Sequence, residues 1–165
     1  EYREKVYNSF ENFKLWENRL YSYGGKIEEV LGFEIPLTCP WFGGTADIIF
    51  KINGVWYIGD FKTSKQISTE YLLQVCAYMW IINNGYVKGM PRIGGVGIIR
   101  VDKNKYGVVD DYFLSDFDQI QHDYIVSYQN CFMSYVDAFY RTINTNYIFD
   151  VYKSEYNPEY IYGVE

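Results

Sequence analysis

The sequence predicts an α+β domain, α/β in the broad sense, in which one central mixed sheet is flanked by helices. Three patterns point to it. The first is an apolar stripe of helical period at the start of the chain. The second is a run of alternating β-branched and aromatic residues broken by Asn53-Gly54. The third is a nearly all-apolar helix followed by two more alternating runs. At 165 residues the chain suits one domain. A chain of that length buries roughly two thirds of the surface its unfolded form exposes, without disulfides or metals as staples.

The elements follow in order. Val6, Phe10, Phe13, Trp16 and Leu20 recur at steps of three and four and predict a helix from Arg3 to about Tyr23, ended by Gly24-Gly25. Phe33 to Cys39, Thr45 to Ile52 and Val55 to Lys62 read as strands, and Asn53-Gly54 joins the last two because both residues tolerate the positive φ of a type I′ turn. Ser68 or Thr69 caps a helix running to about Asn83, with Asn84-Gly85 as its left-handed exit. Leu72, Val75, Cys76, Met79, Trp80 and Ile81 leave that helix little polar face, so it should lie buried against the sheet. Ile93 to Val101 and Tyr106 to Leu114 read as two further strands around an Asp102 to Lys105 turn. Ser115 or Asp116 opens a last helix to about Ile143. The tyrosine-rich remainder has no clear period. Neither an internal repeat nor a linker is visible, so 1–165 reads as one domain. Residue 1 is Glu, inside a helical pattern, which predicts that the natural protein extends upstream.

Fifteen Lys and Arg against 21 Asp and Glu give a formal charge of −6, so a diffuse basic footprint for nucleic acid is excluded and any phosphate site must be local. No run approaches the ~20 uncharged apolar residues of a membrane span, and the N-terminus lacks a signal-peptide pattern. The expectation is an intracellular protein, cytoplasmic or inside a host cell, without a membrane partner. Cys39, Cys76 and Cys131 are widely spaced and form no CxxC pair, so they are expected to be reduced core thiols.

The hairpin permits a geometric reading. With Asn53 and Gly54 as loop, Ile52 faces Val55, and counting back places Asp47 opposite Asp60, their Cβ atoms ~5 Å apart. Lys62, two residues on, points to the same face. Opposed carboxylates repel, and a hard divalent ion between them is the natural remedy. The alternative is a solvated edge where Lys62 alone offsets the charge. Ile48, Phe50, Tyr57 and Phe61 read as the core side. The acid face also carries Ile49, Trp56 and Ile58, surroundings that favour the metal over surface decoration. Two acids, a cation and a lysine suit phosphodiester hydrolysis. Lys62 would orient or deprotonate the attacking water, or stabilise the pentavalent state.

Gly43-Gly44-Thr45-Ala46-Asp47, then Ile58-Gly59-Asp60-Phe61-Lys62-Thr63-Ser64, then Gln74-Val75-Cys76-Ala77-Tyr78 resemble, in order and spacing, the PD-(D/E)xK nuclease superfamily, specifically its RecB-like exonuclease branch. The same run is similar to that of mitochondrial genome maintenance exonucleases and many phage exonucleases. The resemblance covers about Phe33 to Trp80 and implies a restriction-endonuclease-like αβββαβ core. It implies that Asp47, Asp60 and the backbone carbonyl of Phe61 ligate Mg²⁺ or Mn²⁺, that Lys62 is the catalytic lysine, and that Gln74 and Tyr78 form the QxxxY signature that supports the site and contacts DNA. Independently, Gln74 and Tyr78 are four apart on one helical face, and a lone amide on an apolar helix needs a buried polar partner. Gln74 capping a loop carbonyl, and Tyr78 as plain core, are the alternatives.

Glu34 is the choice for a third acid, if its strand pairs it near Ile49; an exposed strand glutamate is the alternative. The branch also has a histidine or acid on an earlier helix, which nothing here matches. His122, the single histidine, is read as a packing or surface residue. Iron–sulfur clusters of some relatives need four cysteines, so none is expected. Lys62, Lys65, Arg92 and Arg100 could form a basic rim for DNA ends or single strands, with stacking on some of the many aromatics. The expected function is a Mg²⁺- or Mn²⁺-dependent deoxyribonuclease. The foremost reading is an exonuclease of replication, recombination or repair, of phage or mobile-element origin. A catalytically silent nuclease-fold DNA-binding module, a structure-selective endonuclease and a noncatalytic domain with a simple ion network are the alternatives.

Overall fold

Asn53 and Gly54 adopt φ angles of 48° and 83°, the left-handed pair that a type I′ turn requires, and this turn sets the register at the centre of the fold. The computed structural model describes residues 1–143; the tyrosine-rich stretch 144–165 lies outside the described residues. The elements are α1 (Tyr2–Ser22), β1 (Ile27–Thr38), β2 (Gly43–Ile52), β3 (Val55–Lys62), α2 (Thr69–Asn83), β4 (Gly95–Val101), β5 (Val109–Ser115) and α3 (Gln119–Ile143). The fold is α+β. The five strands among the described residues lie in sequence order, antiparallel except for β3 and β4, which run parallel with α2 as the crossover.

Helices cover both faces of the sheet, so each face is core. On one side Leu72, Val75, Cys76 and Met79 of α2 and Ile125 of α3 pack on Ile49, Ile58, Val96 and Ile98. On the other, Trp16 of α1 packs on Ile48, Phe50, Ile52 and Ile99. This corrects the expectation of one core side: alternating residues of β2 and β3 enter two different cores. The edges are protected as isolated strands require. β1 carries Glu28, Glu29 and Pro36, and β5 carries Asp110 and Asp111.

Several boundaries differ from the sequence reading for local reasons. β1 starts six residues before Phe33, because irregularities at Glu28 and Leu31 break the period-two pattern that would have marked it. Ile93 stays out of β4 because the Asn83 side chain takes both its backbone groups. Oδ1 accepts its N–H and Nδ2 donates to its carbonyl, each at 2.9 Å. Asp102 accepts the N–H groups of Asn104 and Lys105 in an Asx-type turn, which delays β5 to Val109. α3 begins at Gln119, with Asp118 Oδ1 accepting the N–H of Gln121, while Ser115 still pairs with Gly95. Of the cysteines, only Cys76 is fully buried, and burial pushes its thiol up to about 12; Cys39 is half-buried and Cys131 exposed, against the expectation of three core thiols.

α1 departs most. Only the C-terminal half of its stripe reaches the sheet. Val6 and Phe10 are 52% and 59% exposed and line an open apolar groove with Phe13, Phe33, Phe61 and Val101. Polar contacts hold the helix instead. Asn12, fully buried, donates to the carbonyls of Asp102 and Lys105 at 2.7 and 2.8 Å and accepts the Gly107 N–H at 2.7 Å. Trp16 donates its indole N–H to Asp111 at 2.8 Å. Replacing Asn12 by alanine strips three backbone groups of their partner, so Asn12→Ala should lower unfolding stability by about 2 to 4 kcal/mol in urea melts. An unchanged midpoint would show that the β4–β5 turn does not depend on this side chain.

Candidate functional site

The β2–β3 ladder follows the count from the turn: Ile52 faces Val55, and the register holds through Ile48 and Gly59. Asp47 and Asp60 come next. They fall at a position where, in an antiparallel pair, side chains approach most closely. The following pair, Ala46 and Phe61, would be hydrogen-bonded if the ladder continued. Instead the Phe61 N–H donates to Asp47 Oδ2 at 2.7 Å, so a carboxylate replaces a backbone carbonyl at the end of the ladder. A residue's N–H and C=O face the same partner strand in such a ladder, which puts the Phe61 carbonyl on the flank that Asp47 occupies.

β1 and β2 both change face at this point. Ile48, Phe50 and Ile52 enter the α1-side core, whereas Ala46 enters the α2-side core, as do Ile35 and Leu37 across from it. Phe33, by contrast, lines the α1-side groove. The switch in β1 lies at Glu34, whose φ of 50° is the left-handed conformation that costs a non-glycine residue about 1 kcal/mol or more. Glu34 lies opposite Asp47, between the pairs Phe33–Ile48 and Ile35–Ala46, two residues from the expected pairing with Ile49, which faces Gly32 instead. It is exposed, and among the described residues no three His, Cys, Asp or Glu side chains group as a metal site. Two acids therefore form the centre, with Glu34 at their rim.

Lys62 Nζ stands 2.7 Å from Asp60 Oδ2 and reaches Gln74 Oε1 at 3.5 Å. Gln74 in turn donates from Nε2 to the Tyr78 hydroxyl at 2.9 Å. The QxxxY pair is thus one polar chain running from α2 to the lysine, and the Tyr78 ring is at the same time a buried member of the α2-side core. Tyr78 also explains the glycine before the first acid: a Cβ on Gly44 would overlap its hydroxyl.

Asp60 is 3% exposed. Burial drives its carboxyl above the ordinary 3.8, and the charge of Asp47 raises it further; Lys62 opposes both without cancelling them. Among the described residues no donor is aligned on Oδ2 for a hydrogen bond, although the ammonium is close. A buried, under-satisfied carboxylate beside a second carboxylate is a fitting donor set for a hard cation, with Asp47, Asp60 and the Phe61 carbonyl as the groups that would hold it.

The basic rim is not formed as expected. Arg100, beside Lys62 on β4, is 5% exposed; its Nε donates to Asp110 at 2.8 Å and its Nη1 to the Ser64 carbonyl at 3.2 Å, so it braces the segment after Lys62 instead of facing solvent. Arg92 pairs with Asp116, while Lys65 is exposed. The bracing role of Arg100 has no sequence signal beyond its place in a strand opposite an acid. His122 is half-buried on α3.

The chain matches no protein-family model and no curated protein. The chemistry of the site rests on its own geometry.

One consequence concerns pH. The folded Asp60 holds its proton to a higher pH than the unfolded chain does, so stability falls as pH rises from about 3.8 through the raised folded value. Above that window, in EDTA, Asp60→Asn should melt at a higher temperature than the wild type, and the difference should close as pH falls below it. Mg²⁺ should raise the wild-type melting temperature and leave that of the variant unmoved. Equal responses of both proteins to Mg²⁺ would remove Asp60 from any cation site.

Proposed function

We propose that the protein is a metal-dependent deoxyribonuclease of the PD-(D/E)xK type, an exonuclease of the RecB-like branch acting in DNA replication, recombination or repair. The reading rests above all on one observation: a buried carboxylate, Asp60, is set against a second carboxylate and a lysine where the β2–β3 ladder ends. Such a set is costly to fold, and the cost is explained if the charges act on a ligand. A bound Mg²⁺ or Mn²⁺ would supply Lewis-acid activation and neutralise charge on the scissile phosphate.

The residues of the chain do the rest. Asp47 spans the ladder end and holds the Phe61 backbone in line. Lys62, half-buried, keeps a donor cation beside the acids, where it can orient the attacking water or meet the charge that develops on the phosphate. Gln74 and Tyr78 fix the lysine from the helix side. Lys65 is an exposed cation on the segment between β3 and α2 and offers a contact for the DNA backbone. No helix among the described residues is long and apolar enough to cross a membrane.

End-labelled single-stranded and duplex DNA, incubated with Mg²⁺, with Mn²⁺ or with EDTA, should be degraded only with metal, and Lys62→Ala should slow cleavage roughly 10²- to 10⁴-fold. Circular single-stranded DNA should survive, since only an endonuclease opens a circle. Metal binding by a folded protein without turnover would instead identify a silent nuclease-fold module. A melting temperature indifferent to metal, together with no cleavage, would reject both.

A further inference from the structure

Lys62 has one more neighbour. Its ammonium lies 4.7 Å from the centre of the Tyr71 ring, inside the ~6 Å within which a cation is attracted to an aromatic face. Tyr71 sits in the first turn of α2, three residues before Gln74 and seven before Tyr78, so the three side chains project from one helical face. Its ring packs against the α2-side core and is half-buried, which holds its plane.

We propose that Tyr71 is a positioning residue for Lys62, an inference that rests on the nuclease reading above. A lysine is a point charge on a flexible four-carbon stem, and three contacts are needed to fix its tip in space. Asp60 supplies one and Gln74 a second. The Gln74 oxygen takes up one of the three N–H groups of the ammonium, and the Asp60 carboxylate offsets its charge. An aromatic face attracts the charge without consuming a donor and without neutralising it. Tyr71 thereby closes the cage from the third side and leaves the ammonium both charged and able to donate towards a phosphate. The hydroxyl of Tyr71 has no part in this, so phenylalanine should serve as well.

Lysine-¹³C-labelled protein, with Lys62 assigned by its loss in Lys62→Met, provides a readout independent of activity. In the wild type the Lys62 Cε protons should be displaced upfield of the other lysines by the Tyr71 ring current. Tyr71→Phe should retain the displacement and Tyr71→Leu should abolish it. In cleavage assays Tyr71→Leu should lower kcat about tenfold, the rate equivalent of one partly desolvated cation–π contact. KM should stay within about twofold, and Tyr71→Phe should restore kcat. A wild-type Lys62 signal among the ordinary lysines overturns the proposal whether or not any variant folds. So does a Tyr71→Leu enzyme with raised KM and normal kcat, which would make the ring a substrate contact. If the wild type cleaves no DNA the nuclease reading fails, and the resonance experiment still decides whether Tyr71 positions the lysine.

Discussion

A carboxylate buried in the middle of a two-faced sheet is the constraint on which this structure turns. Asp60 lies on β3, between β2 and β4, with α2 over its face and α1 over the other, and is almost wholly withdrawn from water. A charge in such a place demands a counter-charge, because desolvation there costs several kcal/mol that no solvent returns. Lys62 answers from the same strand, and much of the surrounding arrangement keeps that lysine where it is needed. Arg100 ties down the carbonyl of Ser64 just beyond it, Gln74 meets it from the helix, and Gly44 leaves room for the tyrosine that steadies Gln74.

The second acid is placed by a different device. β1 and β2 cross from one core to the other at Glu34 and Asp47, and the crossing needs a residue in the left-handed region on β1 and an interrupted ladder on β2. An ordinary strand would aim Asp47 perpendicular to the sheet. At the crossing its carboxylate lies instead along the ladder, where it receives a backbone N–H and feels the charge of Asp60. Local backbone strain of this kind persists only where the surroundings impose it. Here two packed cores on opposite faces do so.

The sequence disclosed what short-range rules govern. Asn53-Gly54 fixed a register that can be counted residue by residue, so Asp47, Asp60 and Lys62 could be brought to one place from the sequence, and the apolar girth of α2 announced its burial; Gln74 and Tyr78 joined the site only through the motif resemblance. What long-range packing decides was hidden. The irregularities at Glu28 and Leu31 erased the alternation of early β1. Ile48 and Ile49 are both apolar, and nothing in that pair says that two cores await them. Arg100 reads as a surface cation until Asp110 is seen opposite it across the β4–β5 ladder. In α1 the stripe promised burial along its length, yet asparagines rather than Val6 and Phe10 anchor the first half.

The anchoring of α1 also orders events in time. Asn12 and Trp16 find their partners 90 to 95 residues later, in the β4–β5 turn and on β5. During synthesis the helix can form early, but its seat does not exist until the far edge of the sheet has left the ribosome. Until then Ile48, Phe50 and Ile52 present an uncovered apolar face. The hairpin that bears the acids can therefore be complete while one side of it is still open, and docking of the first helix waits for β5. A nascent chain paused before residue 111 would be a natural client for a chaperone that binds exposed aromatic and branched side chains.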